Sequence, residues 1–172
     1  GLYDGYESPL AYIERELPGF DASDLGTLMK SLAMNYSNDR LGHTHFWDDG
    51  NYSGYSYERF YDDIINAPDA ETKKMRIRMR WHKDTERMQS DLQAYNNFGY
   101  YIPRYRNLND SHCSTIVDFN HGDIQEAGLE LSDFVDNVLD GSGMVMQASE
   151  ADMQADYDKP KNLIYELLNQ LL

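Results

Sequence analysis

Residues 75–82 read MRIRMRWH, and the reading of this stretch decides how the chain is assembled. Met75, Ile77, Met79 and Trp81 alternate with Arg76, Arg78, Arg80 and His82. A period of two sends alternate side chains to opposite faces of a strand. The spacing therefore predicts a strand with one apolar and one arginine-rich face. Working outward, LGHTHFW at 41–47 is apolar-aromatic and bounded by SNDR and DDGN, which predicts a second strand. The Tyr-rich YSGYSYERFY at 52–61 predicts a continuation of the sheet. NNFGYYIPRYRNLND at 96–110 reads as irregular.

Helices surround these segments. SPLAYIEREL at 8–17 carries Ser8 as a cap and Pro9 at its first position. DLGTLMKSLAMNY at 24–36 repeats Leu25, Leu28, Met29 and Leu32 at helical spacing, with Asp21 or Ser23 as the cap. Asp84 is read as the cap of a helix burying Met88, Leu92 and Tyr95. Ser111 can cap the next, whose apolar face is Cys113, Ile116, Val117, Ile124 and Ala127, ended by Gly128. Ser132 caps DFVDNVLD, which Gly141 closes. Residues 141–172 read as an acidic loop followed by a C-terminal helix from Pro160. The expected class is α+β, a small central antiparallel sheet flanked by helices. No repeat or long linker divides the chain, so residues 1–172 are read as a single domain.

Charge narrows the partners. Fifteen Lys and Arg against thirty Asp and Glu leave a net charge of −15. Such a chain repels nucleic acid and anionic membrane surfaces. Residues 73–87 reverse the trend, with seven basic residues against two acids, a local +5. Residues 108–172 hold two Lys against thirteen acids, a local −11. A single cysteine excludes an internal disulfide. No apolar run reaches the ~18 residues of a membrane span, and GLYDGYESPL lacks the features of a cleavable signal.

The lone cysteine lies in NDSHCSTIVDF, residues 109–119. With Ser111 as cap, Cys113 takes the second helical position, where free backbone N–H groups and the helix dipole favour a thiolate. A nucleophilic thiol also needs a base. His112 points away around the helix, and His121 is about two turns or ~12 Å further along it. His43 and His45, two apart on the first strand, share a face and are the better candidates.

Other chemistry is weaker. HTHFWD places His43, His45 and Asp48 in zinc-like proximity but offers only three ligands. DDGNYSGYSYERF opens like a calcium loop, yet its twelfth position is Phe60 where a bidentate Glu is needed. No metal or other cofactor is expected. There is no G-x-S-x-G elbow and no phosphate loop.

Taken in order, LGHTHFW, the basic segment, DTERMQSDLQAY and YRNLNDSHCSTIVDF…IQEAGLELSDFV resemble the circularly permuted NlpC-type papain-like cysteine hydrolases over about residues 40–135. The resemblance implies a permuted papain-like fold with Cys113 as nucleophile and His43 as general base, His45 being the alternative. It also implies a third polar residue that orients the base, for which Asp48 and Glu58 are the candidates. His112 stands where the family often has Asn. The implied activity is amide cleavage in peptidoglycan peptides by an antibacterial effector of the type VI secretion kind. Such an effector leaves its cell by a signal-less route and acts in the periplasm of a target bacterium, with a cognate immunity protein and a secretion-machine component as partners. Two alternatives stand beside it. One is a non-enzymatic acidic binding or immunity protein that blocks a basic partner; the other is a thiol acyltransferase or lipid hydrolase on the same scaffold.

Overall fold

The computed structural model describes residues 8–104, 124 and 128–150. Cys113, its neighbours Ser111 and His112, His121, the C-terminal helix and most of the helix expected to follow Cys113 lie outside the described residues; Ile124, expected on the face of that helix, instead forms an isolated β-bridge with Leu129. The described part is α+β, built on a three-stranded sheet in the order β1 (Leu41–Thr44), β2 (Phe98–Ile102), β3 (Gln147–Ser149).

Both strand pairs are parallel, which corrects the expected antiparallel arrangement. The register sets His43 beside Tyr100 and Ile102 beside Ser149. The physical reason lies in the connections. Antiparallel neighbours can be joined by tight hairpins, whereas parallel ones need long crossovers. Here β1 and β2 are separated by three helices, α3 (Gly50–Tyr57), α4 (Asp62–Ile65) and α5 (Ala70–Leu92). Ahead of β1 stand α1 (Pro9–Glu16), a short 3-10 turn and α2 (Leu28–Asn35); α6 (Leu131–Asp140) precedes β3.

MRIRMRWH is helical, not a strand, and forms the middle of α5. Ile77 and Trp81 are four apart, so they satisfy a period of two and a helical period alike. Met75 and Met79 break the tie, because they are exposed while Ile77, Thr85 and Leu92 are buried along one stripe. The true N-cap is Asp69, whose carboxylate accepts from the Thr72 N–H at 2.7 Å, and Asp84 is an interior residue. From Ala70 to Leu92 there is no Gly or Pro, and Ala, Glu, Lys, Arg, Met and Gln dominate. That composition favours a continuous helix. The Tyr-rich segment is likewise α3, not strand, capped by Asp49 through the Tyr52 N–H at 2.6 Å.

β2 lies in the stretch whose sequence reads as irregular. Every residue of FGYYI is buried, as expected of the centre of a parallel sheet covered on both faces. Phe98, Tyr100 and Ile102 pack with Ala33, Trp47 and Leu92 beneath α2 and α5. Tyr101 and Ala148 pack on the other face with Ile124, Leu131 and Phe134 of α6. The Tyr101 hydroxyl donates to the Leu129 carbonyl at 2.9 Å and accepts from the Ile124 N–H at 3.1 Å. Ser8 and Pro9 open α1 as the sequence suggests, and Gly141 closes α6. Glu130 rather than Ser132 caps α6, in a reciprocal box with Asp133.

Candidate functional site

In parallel sheets ligands gather beyond the carboxyl ends of the strands. β1 runs from that edge straight into His45, Phe46, Trp47, Asp48 and Asp49. On the face opposite His43, Gly42 lets α6 approach closely, since a Cβ there would lie 2.9 Å from both Phe134 and Val138 side-chain atoms. His43 and His45 point to the other face, toward α5. That shared orientation is the one expected for two residues spaced two apart on a strand.

The two imidazoles are bonded to each other. His43 Nε2 lies 2.9 Å from His45 Nδ1, and His45 Nε2 lies 3.0 Å from the hydroxyl of buried Thr85 on α5. Trp81, one turn earlier on α5, meets the His45 ring edge-on at 5.1 Å and anchors its indole N–H on the Phe46 carbonyl at 3.0 Å. Sequence reasoning missed Thr85 and Trp81 as parts of this site. The helical spacing of four between them was the available signal, concealed by the strand reading.

Burial decides the protonation of this pair. Desolvation lowers the pKa of His43, and desolvation followed by the neighbouring His43 charge lowers that of His45 to about 3. Both rings are therefore neutral at pH 7, as a general base requires. A stability consequence follows. The unfolded chain protonates these histidines near the ordinary 6.5, while folded His45 resists protonation down to about 3. Stability is then complete above pH 6.5 and is lost as the pH falls, by up to about 1.4 kcal/mol per pH unit from His45. Urea midpoints measured between pH 7.5 and 5 should fall in the parent chain and fall less steeply in His45→Gln.

The two candidates for the orienting residue sit elsewhere. Asp48 Oδ1 takes His82 Nε2 at 2.9 Å and Arg78 Nε at 2.8 Å. Burial alone would raise the Asp48 pKa, but the His82 hydrogen bond and the Arg78 charge outweigh it and hold the carboxyl below its ordinary range. Glu58 lies at the end of α3, 3.5 Å from Lys73 and 3.7 Å from Arg59. The side chain bonded to His43 is His45 itself. The zinc reading separates in the same way, because the two histidines bond each other and Asp48 turns to His82. Among the described residues no group of three or more His, Cys, Asp or Glu could hold a metal ion. The calcium-like loop is taken up by the cap and first turns of α3.

The edge also holds a fixed polar frame. Ser149, at the end of β3, accepts from Trp47 Nε1 at 2.9 Å and from Gln89 Nε2 at 2.8 Å. Buried Glu150 accepts from the Arg104 backbone N–H at 2.8 Å, tying the ends of β2 and β3 together. The Arg104 guanidinium lies 4.9 Å over the Trp47 ring. No described helix is long and apolar enough to cross a membrane. No family model, curated protein or solved structure matches the chain, so the site is read from its own chemistry.

Proposed function

We propose that the chain is a cysteine hydrolase that cleaves amide bonds, with Cys113 as nucleophile and His43 as general base. The observation that carries the reading is the His43–His45–Thr85 hydrogen-bonded chain. In the tautomers this mechanism uses, His45 Nε2–H donates to Thr85, and His45 Nδ1 accepts from His43 Nε2–H. His43 Nδ1 then carries the lone pair that takes up a proton. A neutral imidazole oriented by a second polar group is the usual partner of an activated thiol. His43 takes the Cys113 proton, the thiolate attacks the carbonyl carbon, and the returning proton leaves with the amine. Water then hydrolyses the acyl-enzyme with His43 again as base.

The motif order over residues 40–135 supports a permuted papain-like relationship and, with it, peptidoglycan peptides as substrate. On that reading the protein is an antibacterial effector exported without a cleavable signal. It acts in the periplasm of a target bacterium and is held in check by an immunity protein. The parallel sheet is a departure from that relationship, so the proposal stands on the site's chemistry rather than on its fold. The test is product release from purified peptidoglycan by the parent chain and by Cys113→Ala. If well-folded parent protein released no peptides, and both chains were equally harmless when directed to the periplasm, the hydrolase reading would be abandoned.

A second reading has its own observation, the −15 net charge. On it, the chain is an acidic blocker of a basic partner. That predicts a complex that dissociates at high salt and is indifferent to Cys113→Ala.

A further inference from the structure

A groove of about 440 Å³ runs between α3 and the first half of α5, and the chemistry assigned to His43 makes no use of it. Its size is that of a small-ligand pocket, roughly 300–1,000 Å³. Trp81 and Ile77 wall it, and Trp47, itself buried in the core, touches it. Trp81 is rigidly set, with its N–H on the Phe46 carbonyl and its ring against Tyr52 at 5.8 Å and Tyr57 at 6.1 Å. An indole fixed in this way is a preorganised apolar surface.

The facing wall departs from helix preference. α3 places Gly54 in its interior, where glycine is less favourable than alanine. The backbone there is not left-handed, and a Cβ would meet nothing within 4 Å. Neither conformation nor packing requires glycine at this position. The space that its missing side chain leaves open is the groove, and departures of this kind concentrate at functional sites.

Charge gives the ligand its chemistry. Three cations reach the groove. Arg78 is engaged by Asp48 at 2.8 Å, and Lys73 faces Glu58 at 3.5 Å. Lys74 makes no ion pair or hydrogen bond with any described residue. A ligand entering the groove therefore meets an indole wall and one ammonium group that no described residue engages.

We propose that this groove binds a carboxylate-bearing peptide, with its apolar part against Trp81 and its carboxylate on Lys74. Resting on the hydrolase reading, the groove is a specificity subsite beside the histidine pair, because the Trp81 ring lies 5.1 Å from that of His45, the hydrogen-bonded neighbour of the base His43. The Trp81 indole reports occupancy directly, so the test is a tryptophan fluorescence titration. The probes are a blocked tripeptide carrying one glutamate and the same peptide with glutamine. The titration is run on the Cys113→Ala chain, so that binding is read without turnover.

The glutamate peptide should give a saturable shift and bind at least about tenfold more tightly than its glutamine counterpart, as expected for an ion pair formed beside an apolar wall. Lys74→Glu should weaken it by a similar factor. Gly54→Leu should abolish binding while keeping the thermal midpoint at or above that of the parent, since leucine is the better helix former. Should the leucine variant fail to fold, Gly54→Met combined with the Lys74→Glu titration decides. Equal responses to both peptides, or a folded groove-filling variant that binds like the parent, would overturn the proposal. Binding without hydrolysis by the parent chain would remove the hydrolase reading and leave the groove assignment standing. Hydrolysis without glutamate-selective binding would do the reverse.

Discussion

On the proposed hydrolase reading, replacing His43 by alanine is expected to lower amide hydrolysis by about 10²–10⁴-fold, the usual contribution of a positioned general base. Cys113→Ala should bring turnover to background, because no other thiol exists in the chain. On that reading His45 acts through His43, to which it is hydrogen-bonded, so its removal should cost less. His45→Gln keeps a polar group near His43 and should retain more activity than His45→Ala, with the larger effect on kcat rather than KM. The pH profile separates the roles. In the parent the base limb should lie below the ordinary histidine value of 6.5, since burial lowers the His43 pKa. Loss of the neighbouring imidazole should move that limb. A His43→Ala chain as active as the parent, with its thermal midpoint unchanged, would remove His43 from the mechanism. Steady-state rates on a fluorogenic peptide amide across pH 4–9 make the measurement.

The second large effect is structural. Gly99→Ala should destabilise the chain by about 1–3 kcal/mol or more, the range for forcing atoms into a close-packed interior. A Cβ on Gly99 would stand 2.3 Å from the Met146 carbonyl oxygen and 2.5 Å from Val145 Cγ1. The first of these is backbone at the start of the chain into β3, which cannot swing aside as a long side chain can. Relief requires β2 and β3 to part where Tyr100 N–H bonds the Met146 carbonyl at 3.0 Å. Equilibrium urea unfolding checks this, and Gly54→Ala is the matched control. The same substitution into open space should leave stability equal or raise it by about 0.5–1 kcal/mol. Two glycines in one chain thus carry opposite expectations, and only the surroundings of their missing side chains distinguish them.

Much of the site was legible along the chain. His43 and His45 are paired in the sequence at a spacing that any strand would turn to one face, and the strand at 41–44 exists. Asp48 and Glu58 could not be sorted by sequence, because a carboxylate takes whichever cation the fold delivers. Asp48 received His82 and Arg78 only because residues 75–82 coil into a helix that lies across the end of β1. The same misreading hid Thr85, which as a residue beyond a strand had no reason to face His45.

What the sequence determined by itself was local and chemical. It set the α+β class, the capped helices at Ser8–Pro9 and before Gly141, the first strand and the histidine pair, because capping, turn chemistry and short-range periodicity act over a few residues. Tertiary structure alone decided the period of residues 75–82, since Ile77 and Trp81 fit both a strand and a helix until a core selects the face. It also decided the direction of the sheet. Parallel pairing depends on where a crossover returns its strand, and that return is set by α5 packing against β2, a contact that no local pattern encodes.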